Sequence, residues 1–174
     1  DRHDGSAATI EDFLACFADA TGRDLSRFAR WYSQSGTPEV VVSISWDAAA
    51  GRLTLGFDQI NPPTPGQPVK KPMTIPIRFG LVGPNGADLA YASVTGVAVE
   101  GDVLVLEESR HEVVFEGVAA RPVPSLLRGF SAPVKLTTGL DTEDTLFLMA
   151  HDGDPFNRWQ AGQTMAMRTL VEAT

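Results

Sequence analysis

Between Pro38 and Leu136 short intervals that alternate with a period of two are separated by proline- and glycine-rich turns, which leaves no room for crossover helices between them. Val40, Val42, Ile44 and Trp46 share one face of a candidate strand, with Val41, Ser43 and Ser45 on the other. Residues 47–51 read as a turn, after which Leu53, Leu55, Phe57 and Gln59 continue the alternation. A hairpin with one buried face is the unit of an antiparallel sheet. The run 61–72 holds Pro62, Pro63, Pro65, Pro68 and Pro72, so it can supply neither ladder donors nor a helix interior and is expected to be a long surface loop within the sandwich. Strand signals resume over 73–82, where Pro76 points to an edge or a bulge, and Gly83-Pro84-Asn85-Gly86 is a turn. A weak β pattern over 87–99, strands at 103–107 and 112–115, and a last one at 134–136 complete seven or so short strands. That pattern predicts a mainly β fold, an immunoglobulin-like antiparallel β-sandwich.

Helical periodicity flanks this region on both sides. Thr9 with Asp12 three positions on resembles a capping box, Ile10, Phe13, Leu14 and Phe17 share a face, and Gly22 supplies a stop. A second short helix is expected from Asp24, with Leu25, Phe28, Trp31 and Tyr32 as its stripe and Gly36 and Pro38 ending it. Beyond the strands, Asp141 caps a pattern containing Leu146, Phe147, Leu148 and Met149, and Asp154-Pro155 opens another. Its stripe of Phe156, Trp159, Gln163, Met167 and Leu170 has no place in a small sandwich and is assigned to a following helical domain.

The 174 residues suffice for a hydrophobic core, and the excess of eight acidic charges repels polyphosphate, which argues against nucleic acid or an anionic membrane as partner. No stretch approaches the about 20 apolar residues of a bilayer span. The single cysteine, Cys16, permits no internal disulfide and reads as a small buried apolar residue. A reducing compartment suits this composition, and the cytoplasm is the expected location.

No combination of residues makes a complete active site. His111-Glu112-Val113-Val114-Phe115 begins like a zinc-binding helix but has Phe115 where the second histidine belongs, and in a strand a four-residue offset spans about 13 Å. His3 and His151 lack ligand-spaced partners, and a capping, surface or hydrogen-bonding role is expected for His151. Ser125 and Ser131 lack a glycine-flanked nucleophile elbow, and no glycine-rich phosphate loop occurs. Asp102, Glu107 and Glu108 read as solvated charges, Lys70, Lys71 and Arg121 as isolated surface cations, and Trp31, Tyr32, Trp46 and Trp159 as core packing. Catalytic, cofactor-binding and metal-binding residues are therefore all expected to be none.

The string Trp31-Tyr32-Ser33-Gln34-Ser35-Gly36-Thr37-Pro38 resembles the junction closing the catalytic domain in the M1 family of zinc aminopeptidases, in its bacterial alanyl aminopeptidase (aminopeptidase N) branch. The resemblance continues through 72–76, through Phe130-Ser131-Ala132-Pro133-Val134-Lys135-Leu136, and into Phe147-Leu148-Met149-Ala150-His151-Asp152 and Phe156-Asn157-Arg158-Trp159. It implies a fragment of a larger enzyme: 1–37 as the last helices of a thermolysin-like catalytic domain, 38–138 as the sandwich, and 139–174 as the start of a helical domain. The family's Gly-x-Met-Glu-Asn segment, its His-Glu-x-x-His zinc helix and its catalytic tyrosine have no counterpart here, and Tyr32 belongs to the junction.

The resulting expectation is a non-catalytic linking domain of an enzyme that removes N-terminal residues from peptides. One zinc ion is expected in the parent and none in the fragment. Partners are the remaining domains, with peptide substrate bound only by the full-length protein. The alternative is a free-standing sandwich that binds a protein or peptide through its proline-rich loop or a sheet edge, which an aromatic surface patch away from the terminal helices would favour. Removing residues after Asp152 is expected to leave the sandwich core folded.

Overall fold

The computed structural model describes residues 4–172, so His3 lies outside the described residues. Helix α1 (Ile10–Thr21) starts and stops as its sequence dictates. Thr9 Oγ1 accepts from Asp12 N–H while Asp12 Oδ2 accepts from Thr9 N–H, and Gly22 ends the helix at φ 68°. The second helix is much shorter than its stripe suggests: only α2 (Arg30–Ser33) is α-helical. Asp24 Oδ1 instead accepts from Ser26 N–H at 2.9 Å, turning the chain before it.

Nine strands follow among the described residues: β1 (Glu39–Asp47), β2 (Arg52–Ile60), β3 (Ile75–Val82), β4 (Ser93–Thr95), β5 (Ala98–Glu100), β6 (Val103–Leu106), β7 (Arg110–Glu116), β8 (Val123–Leu126) and β9 (Lys135–Thr138). They form a five-stranded sheet ordered β4-β7-β2-β1-β9 and a four-stranded sheet ordered β5-β6-β3-β8. Pairing is antiparallel except between β1 and β9, which run parallel from Glu39↔Lys135 to Val42↔Thr138. The sequence pattern did not separate β8, whose Pro124 hides an edge strand. Pro76 is accommodated because β8 reaches only Phe79–Val82, so the side of β3 where its missing N–H would point is locally unpaired. Ser131 Oγ accepts the neighbouring Arg78 N–H there at 2.9 Å.

The alternating residues of both sheets meet in one core. Leu53, Leu55, Ile75, Ile77, Leu104, Val113 and Phe115 are wholly buried in it, and Phe115 sits 5.3 Å from Phe79 and 5.1 Å from Tyr91 between ring centroids. Beyond β9, α3 (Thr142–His151) and α4 (Pro155–Glu172) pack on each other and on β8. Their shared apolar cluster is small, with Val82, Val123, Leu148 and Ala161 at its centre and Leu140 and Phe147 at its margin.

Several burial expectations are corrected. Cys16 is half-buried, because α1 buries only Leu14 against the rest of the chain. Trp31 and Trp46 do pack on the core but only in part, while Tyr32 and Trp159 are 53% and 57% exposed. No described element covers those faces of α2 and α4.

Candidate functional site

Chemistry in this molecule is concentrated where the sandwich meets its flanking helices. At the N-terminal end, the prolines of 61–72 leave carbonyls and amides that no strand can pair. Glutamine side chains take the place of a neighbouring strand, since a primary amide offers a donor and an acceptor at once. Gln34 Nε2 donates to Lys71 O at 2.9 Å and its Oε1 accepts from Lys71 N–H at 2.7 Å. Gln67 donates to Ser33 O at 2.9 Å and accepts from Ser35 N–H at 2.8 Å, and Gln59 donates to Met73 O at 3.0 Å and accepts from Met73 N–H at 2.6 Å. Trp31 Nε1 donates to Thr74 O at 2.8 Å, and Arg30 donates to Pro72 O. Lys70, expected to be an isolated surface cation, is half-buried and donates from Nζ to Ser35 O and Pro62 O.

A buried ionic network forms the C-terminal end. Arg128, just after β8, makes a two-pronged pair with Asp88 and reaches Asp152 Oδ1 at 3.0 Å from Nη2. Its Nε donates to Ser125 Oγ at 3.0 Å, Ser125 Oγ donates to Asp152 Oδ2, and Asn157 Nδ2 donates to Ser125 Oγ at 2.8 Å and Leu126 O at 2.9 Å. Burial opposes the guanidinium's charge, but the bond to Asp88 and the charge of Asp152 outweigh it and raise the Arg128 pKa above the ordinary arginine value. Gly80 makes room for this: a Cβ there would lie 2.0 Å from Arg128 Nη1. A second tie joins Arg121 to Asp144 through two bonds of 2.8 Å. The Asp144 bond is the largest influence on Arg121 and raises its pKa. Arg121 therefore carries a structural bond that its isolated place in the sequence concealed.

The remaining candidates are dispersed. His111 Nε2 accepts from Glu107 N–H at 3.0 Å and Glu108 N–H at 3.1 Å, which assigns the ring proton to Nδ1, 3.2 Å from Gly96 O. This histidine anchors the β6–β7 turn. His151 is exposed at the end of α3, its ring 4.7 Å from that of Phe147. Ser125 sits inside the ionic network and Ser131 caps Arg78, so neither faces a base in a cleft. Asp102 pairs with Arg78, and Glu107 and Glu108 pair with Arg27, all at the surface. Lys71 is exposed. Among the described residues no group of three or more His, Cys, Asp or Glu is placed to hold a metal ion. No helix among them is long and apolar enough to cross a membrane.

Sequence reasoning missed both joints. Gln34, Gln59, Gln67, Asp88, Arg128 and Asn157 have no motif spacing, and their partners lie up to 40 residues away or across the two layers. A proline-rich segment followed by strand, with glutamines before and within it, is the only local signal that could have found the first joint.

Comparison with known proteins places this arrangement. Residues 36–139 match the family model described as a domain of unknown function (DUF3458) with an Ig-like fold, and residues 142–174 match its companion, DUF3458_C, described as ARM repeats. The chain is 48% identical over 170 residues to aminopeptidase N of Caulobacter vibrioides, covering 98% of this chain and 18% of that protein. It is 41% identical over 165 residues to aminopeptidase N of Escherichia coli, covering 95% and 19%. A crystal structure of Legionella pneumophila aminopeptidase A in complex with aspartic acid superposes with a TM-score of 0.74 at 32% identity, over 90% of this chain and 16% of that one. The chain thus spans about a fifth of the length of the curated relatives it matches.

Proposed function

Because the chain belongs to the Ig-like DUF3458 family, we propose that it is the non-catalytic linking part of an M1-type zinc aminopeptidase. In that reading residues 1–37 close the catalytic domain, 38–138 form the linking sandwich, and 139–174 begin the helical domain. The parent enzyme removes N-terminal residues from peptides in the cytoplasm, with one zinc ion held by residues outside this chain. The remaining domains of that parent are the partners of this segment.

One observation carries the proposal: each end of the sandwich is joined by directed polar bonds to a helical segment whose apolar side is left open. Ile10, Phe13 and Phe17 on α1, and Trp159, Met167, Leu170 and Val171 on α4, are between 44% and 68% exposed. Faces of this kind mark surfaces that another domain covers. The free-standing binding module fares worse. Its proline-rich loop is tied down by Gln34, Gln67 and Lys70, and the exposed aromatic residues Phe13, Phe17, Phe28, Tyr32, Phe130, Phe156 and Trp159 all lie on or beside the terminal segments.

The test compares the whole protein containing this chain with the isolated 174 residues. The whole protein is expected to contain about one zinc per chain and to hydrolyse aminoacyl amides, with loss of activity on chelation. The isolated chain is expected to do neither. A whole protein without zinc or hydrolysis, or an isolated chain with both, would overturn the proposal.

A further inference from the structure

We infer that the cavity between β9 and α4 is a binding site for a small apolar monocarboxylate, with Arg168 holding the charged end. This site goes beyond the linking role and uses residues outside both polar joints.

The cavity follows from how the helices meet the sandwich. β8 and β9 are edge strands of the two sheets, and α3 and α4 meet the β8 side through the small cluster of Val82, Val123, Leu148 and Ala161. That cluster holds no residue of β9, and beside β9 a cavity of about 430 Å³ remains open. Leu126, Leu127, Leu136, Leu148, Phe156 and Ala161 form its apolar walls. A space of this size, mostly apolar with a few placed polar groups, has the build of a small-molecule site.

The cavity lies on a different side of α4 from the apolar residues left open for a neighbouring domain. Asn157, Ala161, Thr164 and Arg168 recur at spacings of four, three and four, so they line the cavity from one side of the helix. Trp159, Met167 and Leu170 lie round the helix from them and do not line it. A domain that covers those three residues therefore leaves the cavity open.

The polar lining selects the ligand. Thr145 Oγ1 donates to Asp141 O, Thr164 Oγ1 to Gln160 O, and Asn157 Nδ2 to Ser125 Oγ and Leu126 O, so these donors are spent. Arg168 is half-buried and donates from Nη2 to Leu140 O at 3.3 Å, but among the described residues it meets no carboxylate. Lys135, the other cation of the lining, is exposed and 3.4 Å from Glu39. No acidic residue lines the cavity, although the chain carries an excess of eight acidic charges. A partly desolvated guanidinium with free N–H groups beside an apolar space binds a carboxylate through two parallel bonds. An ammonium group would meet only cations there, so a free amino acid, which carries both charges, is disfavoured.

Calorimetric titration of the whole protein containing this chain with octanoate, octanol and octylamine tests the site. Octanoate is expected to bind with one component per chain that Thr164→Phe, which fills the cavity, abolishes. Octanol is expected to occupy the same component at least about tenfold more weakly, and octylamine more weakly still. Arg168→Gln should weaken octanoate at least about tenfold and leave octanol unchanged, removing the preference for the carboxylate. Circular dichroism checks that each variant is folded; should Thr164→Phe fail that check, Thr138→Phe fills the cavity from β9 instead. Octanoate binding that survives filling of the cavity, a carboxylate preference that survives Arg168→Gln, or no octanoate binding at all overturns the site. None of these readings depends on zinc or on hydrolysis, so the linking role and the site can fail separately.

Discussion

Gln59→Leu removes the side chain that pairs both backbone groups of Met73, and its cost follows from the geometry. Gln59 and Met73 are both buried, at 7% and 2% exposure, and their two bonds measure 3.0 and 2.6 Å. Leucine is close in size and spares the burial of an amide, yet it leaves Met73 N–H and C=O without partners at a place where water has little access. Each of the two unsatisfied buried groups costs about 1–3 kcal/mol, and the apolar gain offsets roughly 1 kcal/mol, for a net loss of about 1–5 kcal/mol. For a chain of this length that is a fall in Tm on the order of 2–20 °C. Urea unfolding with a shared m-value measures it. Gln59→Glu supplies the control: it keeps an acceptor for Met73 N–H but loses the donor to Met73 O, so the loss should persist. A Gln59→Leu chain within about 0.5 kcal/mol of wild type would show that water or a shifted backbone satisfies Met73, and the amide-for-strand substitution would be refuted as a source of stability.

Two further expectations concern the core and an exposed turn. Phe115→Ala should cost about 3–5 kcal/mol in urea unfolding because the ring is wholly buried, whereas Trp46→Ala, half-buried at the end of β1, should cost about 2 kcal/mol; reversed magnitudes would contradict the core boundary. The Ser26 backbone bond, then the Ser26 hydroxyl and Arg27, hold the Asp24 carboxyl below the ordinary aspartate pKa. A depressed native pKa stabilises the native turn above the unfolded value, and that stability disappears as pH falls through the native value. A side-chain NMR titration should therefore place Asp24 below its value in a peptide of residues 20–30, and an equal or higher midpoint would remove the turn's electrostatic support.

The sandwich was legible because its information is local. Alternation of Val40 to Trp46 against Leu53 to Gln59 specifies a hairpin, and Thr9, Asp141 and Asp154 announce helix starts within four residues. β8 was not legible because Val123-Pro124-Ser125-Leu126 has neither alternation nor length, and all four residues are buried by a sheet on one side and α3 on the other. Trp159 and Tyr32 misled for a related reason. Periodicity reveals that a face is apolar but not which molecule or domain covers it. The joints were the least legible, since a glutamine that replaces a strand neighbour and an arginine between two distant aspartates look like ordinary polar residues until the chain is folded.

The two joints differ in chemistry in a way that bears on linking. An apolar contact between sandwich and helices would adhere over a range of angles, because burial is nondirectional. Hydrogen bonds and two-pronged ion pairs weaken steeply when misaligned, so they select one orientation. The N-terminal joint meets this need with two glutamines, Gln34 and Gln67, pairing backbone groups across it and with Trp31 tied to both core and loop, which fixes the entering segment to the sandwich. At the C-terminal joint the Arg128 network and the Arg121–Asp144 pair meet around a small apolar patch, so orientation there is defined mainly by ion pairs. A sandwich built this way holds its N-terminal segment through backbone-directed amide bonds and its C-terminal helices chiefly through ion pairs, so each side is oriented by directional contacts of a different kind.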